Sequence, residues 1–256
     1  MRFIPVAEIP HTPAANAAPS GAIGSDMKEE VLPFRVKLVS NPEDLLSAVS
    51  IRHTAYMRHV PQFAQTLRAP EKIDMEEGVA ILLAESKADG SPLGTLRIQT
   101  NEFRRLSVEE SLELPPALAG QYLAEATRLG VTNEKVGRMV KTVLFKSFFL
   151  YCHGMGLDAM IATGRPPLDR QYDRLLFKDI FPARGYVPLS HVGDIPHRVM
   201  MLAVDDVEPL WGANDHPLFD FFFKTVHPDI DLSPAFGKAR RMQARSEKEA
   251  SCAALG

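Results

Sequence analysis

Leu123-Ala124-Glu125-Ala126-Thr127-Arg128-Leu129-Gly130-Val131 runs directly into Thr132-Asn133-Glu134, the pattern of a strand followed by the opening of a helix. Leu123, Thr127, Leu129 and Val131 form an apolar or β-branched face, and Glu125 falls on that same face, which an alternating strand turns toward the core. A carboxylate removed from water is costly unless it is paired, hydrogen-bonded or protonated, so Glu125 has a partner or a task. Arg128 is the nearest cation in sequence. Three residues along a regular strand is the opposite face, however, so the two share a face only if the strand is bulged or splayed. At this level catalysis and purely structural pairing weigh equally, because ion-pair networks perturb carboxylates as active sites do.

Downstream, a long helix is predicted from Asn133 to Met155, with Val136, Val140, Val143, Leu144 and Phe148 on its apolar side and Gly154 and Gly156 at its end. Leu157 to Thr163 reads as a short buried strand of the parallel kind. Pro166-Pro167 opens a further helix through Phe181, stopped by Pro182, on which Arg170, Arg174 and Lys178 form a basic stripe. Residues 185–189 and 199–204 supply two more strands.

Upstream, Val79 to Glu85, a turn at Ala88-Asp89-Gly90-Ser91-Pro92, and Leu93 to Thr100 read as strand, turn and strand. The second strand carries Gly94-Thr95-Leu96-Arg97. Phe34 to Ser40 is a first strand, and Ser40 or Asn41 caps a helix with Pro42 in its first turn. Leu45, Val49, Arg52 and Tyr56 recur every three or four residues, which turns Arg52 and Tyr56 inward. Val60 to Lys72 is a loop or short helix able to cover a pocket. Inward arginines at 52, 97 and 128 need several carboxylates, and Asp74, Glu77 and Glu125 are available. Strands interleaved with helices around a mixed sheet define an α/β (α+β) domain.

With 256 residues, 45% hydrophobic and 24% charged, the chain can bury one substantial core. Residues 31–236 are expected to form a single domain. The Ala- and Pro-rich stretch 1–30 is expected to be a disordered tail, since Pro5, Glu8 and Pro10 interrupt any signal-peptide core, and residues 237–256 a polar tail. A net charge of −3 gives no argument for nucleic acid. Cys152 and Cys252 are too far apart in sequence to suggest a disulfide framework, so a reducing, cytoplasmic location is expected. The eight histidines show no metal-binding spacing, and no metal is expected. Pro217 to Val226, with Leu218, Phe219, Phe221, Phe222 and Phe223, is too short to span a membrane and is expected to pack on the domain, a peripheral membrane contact being the alternative.

Taken in order, Arg52 and Tyr56 on the first helix, Asp74 with Glu77, Gly94-Thr95-Leu96-Arg97, and Glu125-Ala126-Thr127-Arg128-Leu129 resemble the GNAT-type acyltransferases. The resemblance is to the branch that holds acyl-homoserine-lactone (autoinducer) synthases and N-acyl amino acid synthases, and it covers roughly residues 34–205. It implies a GNAT-like fold with a splayed central strand, an electrostatic cluster of Arg52, Tyr56, Asp74, Glu77, Arg97 and Arg128 beside the acyl site, and Glu125 as the base in acyl transfer from a thioester to an amine. It also implies no tightly bound cofactor, with acyl-carrier protein or acyl-CoA as donor substrate. Where CoA-using members carry a glycine-rich pyrophosphate turn, this chain has Glu134-Lys135-Val136-Gly137-Arg138-Met139. That sequence favours the single phosphate of a carrier-protein arm, met by Lys135, Arg138 and Lys141. Phe145, Phe148, Phe149 and Met160 are candidates for the acyl pocket, with ordinary core as the other reading. Lactone synthases share a Trp soon after the first helix, whereas this chain has Val60-Pro61-Gln62-Phe63 there and its Trp at 211. An amino acid acceptor, with Arg52, Arg97 or Arg128 binding its carboxylate, is therefore expected ahead of lactone synthesis or a non-catalytic acyl-binding module.

Overall fold

The computed structural model describes residues 27–236; of the tails expected over residues 1–30 and 237–256, all but residues 27–30 lie outside the described residues. Three successive antiparallel strands bury apolar residues, the middle of the second and nearly all of the third on both faces. These are β1 (Phe34–Leu38), β2 (Val79–Ser86) and β3 (Pro92–Thr100), and β3 pairs in turn with β4 (Leu123–Val131). Between β1 and β2 lies α1 (Pro42–Met57), whose first turn is closed by Asn41 Oδ1 accepting from the Asp44 N–H at 2.9 Å. After β4 come α2 (Val136–Met155) and β5 (Ala159–Gly164), which pairs with β4 in parallel. The chain then forms α3 (Asp169–Arg174), β6 (Lys178–Asp179), β7 (Val187–Leu189), β8 (Ile195–Ala203), α4 (Val207–Ala213), α5 (Phe219–Phe223) and β9 (Ile230–Asp231). The mixed sheet has the order β9–β1–β2–β3–β4–β5–β8–β6, with β7 also on β8. Lys28–Glu29, inside the stretch expected to be a tail, pairs with Thr225–Val226.

Two layers follow from the period-2 alternation of the strands. Leu82, Leu96, Ile98, Ala124 and Ala126 pack against Val140, Val143, Leu144 and Phe148 of α2. The opposite face carries Ile81 and Leu83 against Ala48 of α1, and Leu123, Ile161 and Val199 against Leu106, Val108 and Leu189. Gly130 lets α1 lie close on that face, because a Cβ there would stand 3.1 Å from Ala55 Cβ and 3.2 Å from Arg52 Cα.

Two elements differ from expectation. The helix predicted from Pro166 to Phe181 is only α3, and Lys178 lies in β6, so the basic stripe is broken. The pairing of β6 with Met200 and Met201 of β8 outcompetes local helix propensity here. The aromatic segment packs as expected, through Phe222 and Phe223 on Phe149 and Trp211. Lys146 holds it there, its Nζ donating to the Phe221 and Thr225 carbonyls, each at 2.6 Å. No helix among the described residues is long and apolar enough to cross a membrane.

The long helix begins three residues later than predicted, at Val136, where Gly137 passes so close to Thr132 that a Cβ would stand 2.2 Å from the Thr132 carbonyl oxygen. Gly137→Ala is expected to destabilise the protein by about 1–3 kcal/mol through overpacking, although alanine is the better helix former by about 1 kcal/mol. Urea unfolding checks this, and an unchanged or raised midpoint would show that the approach tolerates a side chain.

Candidate active site

The deciding local event is in β4. Pairing with β3 steps from Arg97↔Thr127 to Thr95↔Gly130, so β4 carries one extra residue, and Arg128 sits at φ 55. This bulge turns the Arg128 side chain onto the face of Glu125, the geometry that strict alternation forbids.

Arg52 from α1, Arg97 from β3 and Arg128 are all buried, and they converge on Glu71 and Asp74, which flank and enter a 3-10 turn at Lys72–Met75. Asp74 accepts from Arg52 Nη1 and Nη2 at 2.9 and 3.1 Å and from Arg97 Nη1 at 3.1 Å. Glu71 Oε2 accepts from Arg52 and Arg97 at 3.2 and 3.0 Å. Arg128 binds Glu71 through Nε and Nη2, both at 2.7 Å, and its Nη2 also donates to the His191 carbonyl at 2.9 Å. Burial works against ionising either acid. Arg128 prevails at Glu71 and Arg52 at Asp74, with Arg97 helping both, and each carboxyl is held below its ordinary value.

Glu77, expected in this cluster, is exposed, and Glu71 occupies the place assigned to it. The turn explains the exchange. Three residues apart in a 3-10 turn share a side, and the Glu71 N–H donates to Asp74 Oδ2 at 2.9 Å. The Glu71-x-x-Asp74 spacing makes Glu71 a candidate, but Asp74-x-x-Glu77 has the same spacing, so the sequence carries no signal that chooses between them. Tyr56 makes no bond to the cluster and lines the neighbouring cavity.

Glu125 is fully buried beside Gln99. Its Oε2 accepts from the Val108 N–H at 3.1 Å, while Oε1 has no partner and faces His191 Nε2 at 3.7 Å. Burial pushes the Glu125 carboxyl up to about 7 despite the Val108 N–H and Arg97, and pushes His191 down to about 3, with Arg128 adding repulsion. Between those values the two are chiefly a neutral acid and a neutral imidazole rather than an ion pair.

The open volume is elsewhere. Parallel pairing of β4 with β5 stops at Ala126↔Ala162. Beyond it the strands splay, and a cavity of about 290 Å³ opens between Leu129–Val131 and Arg165–Leu168, near the lower end of the range for ligand pockets. α1 supplies Tyr56, the turn after it Arg58, His59 and Phe63, α2 supplies Lys141, and Ile195 and His197 close the far wall. Among the described residues no Asp or Glu lines this space. Glu125 does not line it, so the base suggested by the sequence has no direct contact with its contents. Phe63 carries the Arg128 guanidinium 5.1 Å above its ring, which places the charge cluster immediately behind the cavity wall.

Of the cations expected for a carrier arm, Lys141 lines the cavity, whereas Lys135 and Arg138 are exposed at the start of α2. Phe145, Phe148, Phe149 and Met160, expected to line an acyl pocket, meet Trp211 and Phe222 around a space of about 20 Å³, room for about one water. The aromatic segment docks on that side of α2 and fills it. Among the described residues no cluster of His, Cys, Asp or Glu is placed to hold a metal ion.

In solved structures this fold recurs. The N-acyl amino acid synthase FeeM from uncultured soil microbes matches with a TM-score of 0.53 at 18% identity, over 71% of this chain and 96% of that one. The chain has the fold of an acyl-transferring synthase. This acyltransferase fold is also that of the acyl-homoserine lactone synthase LasI, with a TM-score of 0.52 at 9% identity over 67% and 90% of the two chains. A CoA-dependent acyl-homoserine lactone synthase, BjaI, solved with SAM and isopentyl-CoA, matches with a TM-score of 0.50 at 14% identity over 81% and 99%. No family model matches the chain, and no curated protein matches it in sequence.

Two expectations follow for this acyltransferase fold. Asp74→Asn removes half of a buried pairing and leaves guanidinium charge uncompensated, so a loss of about 3–5 kcal/mol is expected in urea unfolding. Glu125 holds its proton more tightly folded than unfolded, so ionising it drains stability as pH rises from about 4.5 and the loss levels off above about 7. The loss is on the order of 3 kcal/mol. Glu125→Gln cannot ionise and should flatten this slope between pH 5 and 8. An unchanged slope would show that Glu125 is already ionised at pH 5.

Proposed function

We propose that this protein is an N-acyltransferase that moves a fatty acyl group from the thioester of an acyl-carrier protein to the amine of an amino acid, releasing an N-acyl amino acid. The observation that carries this reading is the cavity in the β4–β5 splay. It has largely apolar walls, bears the cations Arg58, Lys141 and Arg165, and among the described residues has no acidic residue in its lining. Such a space suits an apolar acyl chain flanked by anions, and an acyl thioester on a phosphorylated arm together with an amino acid carboxylate supplies them. The amine attacks the thioester carbonyl, a C–N bond forms, the C–S bond breaks, and the thiol leaves as the amine gives up its proton. A backbone N–H of the splayed strand is the natural donor to the tetrahedral oxyanion.

Support for a carrier-protein donor comes from the start of α2. No side chain caps its first turn. Burial, then the like charge of Arg138, holds the Lys141 ammonium below its ordinary value, a repulsion that a bound phosphate relieves. The fold neighbours make the acyl chemistry reasonable, since one is an N-acyl amino acid synthase. Against lactone formation, the stretch after α1 where lactone synthases carry a Trp is here Val60-Pro61-Gln62-Phe63, and Trp211 is buried among His216 and Phe222, away from the cavity.

Purified protein incubated with acyl-carrier protein thioesters and an amino acid mixture is expected to form N-acyl amino acid without S-adenosylmethionine, and faster than with matched acyl-CoA. Lys141→Ala should raise KM for the acyl carrier about tenfold, the weight of one charged contact, and leave KM for the amino acid unchanged. An acyl lactone formed only with S-adenosylmethionine, or no product with any amine, would defeat the reading.

A further inference from the structure

An amino acid acceptor needs one cation for its carboxylate and one base for its amine, both reaching the same open space. The arginines that the sequence suggested are committed elsewhere. Arg52, Arg97 and Arg128 are buried and bonded to Glu71, Asp74 or both, and none lines the cavity. Glu125 is likewise shut off behind the wall.

Arg165 and His197 meet the requirement. Arg165 leaves the C-terminal end of β5, where the strands splay, and lines the cavity half-buried. Its guanidinium makes one long contact, Nη2 to the His59 carbonyl at 3.4 Å, and among the described residues it pairs with no carboxylate. His197, on β8, faces the same cavity. Its Nδ1 lies 2.7 Å from the Ile195 carbonyl oxygen. A carbonyl can only accept, so Nδ1 carries the hydrogen and Nε2 presents its lone pair.

We infer that Arg165 and His197 form the acceptor site of the proposed reaction, the Arg165 guanidinium gripping the amino acid carboxylate while His197 Nε2 takes the proton from its amine. The inference rests on the reading of the cavity as an acyltransferase site and names the residues that select and activate the acceptor. The charged and titratable groups facing His197 are Arg165, Tyr56, Arg58, His59 and Lys141 around the cavity, with His191 behind. With no carboxylate among them, burial and Arg165 keep the imidazole below its ordinary value, hence neutral and able to accept a proton at pH 7. In balance, amine and thioester give amide and thiol, and the proton held on His197 passes to the leaving thiolate.

Two measurements decide it. The first is binding, which needs no turnover. N-octanoylglycine and its uncharged amide, N-octanoylglycinamide, are titrated into the wild-type protein while the His197 ring resonances are followed by NMR. The acid is expected to bind at least tenfold more tightly and to shift His197, and Arg165→Ala should abolish the preference for acid while leaving the amide's affinity intact. Equal affinities in the wild-type protein, or equal weakening of both ligands in the variant, would overturn the role of Arg165. The second is kinetic. His197→Gln should lower kcat about 10²- to 10⁴-fold and erase the acid-side limb of the pH profile of kcat, with KM for the acyl carrier unchanged. Retention of that limb would overturn the role of His197. Arg165→Ala should raise KM for the amino acid but not for the corresponding decarboxylated amine, whereas a rise confined to the acyl carrier would reassign Arg165 to the donor. If the wild-type protein acylates no amine at all, the proposed function fails, and the binding measurement still decides whether Arg165 and His197 form a carboxylate site.

Discussion

Burying three guanidinium groups beside one another is the costliest feature of this protein, and the rest of the site is arranged around how that cost is met. Two carboxylates, Glu71 and Asp74, accept from Arg52, Arg97 and Arg128 in near-ideal geometry. Mutual attraction at low dielectric repays desolvation only when geometry is this good and the remaining donors find partners. Arg97 Nε finds Thr127 Oγ1 at 3.0 Å and Arg128 Nη2 the His191 carbonyl, whereas Arg52 Nε and Arg128 Nη1 are buried without a hydrogen-bond partner among the described residues, so part of the cost stays unmet. The cluster joins α1, the 3-10 turn, β3, β4 and the 190–192 turn, elements far apart in the chain. It also turns these arginines away from the cavity: Arg52 and Arg97 are each shared between both acids, and Arg128 is bound twice to Glu71 and once to the His191 carbonyl.

The bulge at Arg128 serves two ends. A left-handed residue in mid-strand carries its side chain to the face where Glu71 waits, and the added twist of a bulge is suited to a strand parting from its neighbour. The splay between β4 and β5 starts just past the Ala126↔Ala162 pair, and the cavity fills it. Charge therefore lies behind one wall, while the open space holds cations without acids. Glu125 and His191 sit between these regimes, both pushed toward neutrality by burial, with Oε1 and the ring nitrogens unpartnered.

Much of the frame was legible in the residues. Alternation marked β1 and β4, the turn at 88–92 marked β2 and β3 on either side of it, and helical spacing turned Arg52 inward. The conflict between Glu125 and Arg128 pointed to a bulge, which the structure shows. What failed did so for identifiable reasons. Glu77 and Glu71 both lie three residues from Asp74, one on each side, and only the direction of the 3-10 turn selects Glu71. Phe145, Phe148, Phe149 and Met160 are apolar on one side of α2 and β5 in any reading. Whether that side is an open slot or packed core depends on where residues 219–223 return, a contact more than seventy residues away along the chain.

By itself, then, the sequence determined the α/β architecture, the inward arginines and an anomalous acid on the central strand, because strand period, helix period and the cost of buried charge are local or additive properties. The tertiary structure alone decided which acids answer the arginines, where the strands part, and that Arg165 and His197, thirty-two residues apart, face one cavity. These are matters of which segments meet, set by backbone direction over short turns and by long-range packing. A residue pattern does not encode them until the chain has folded.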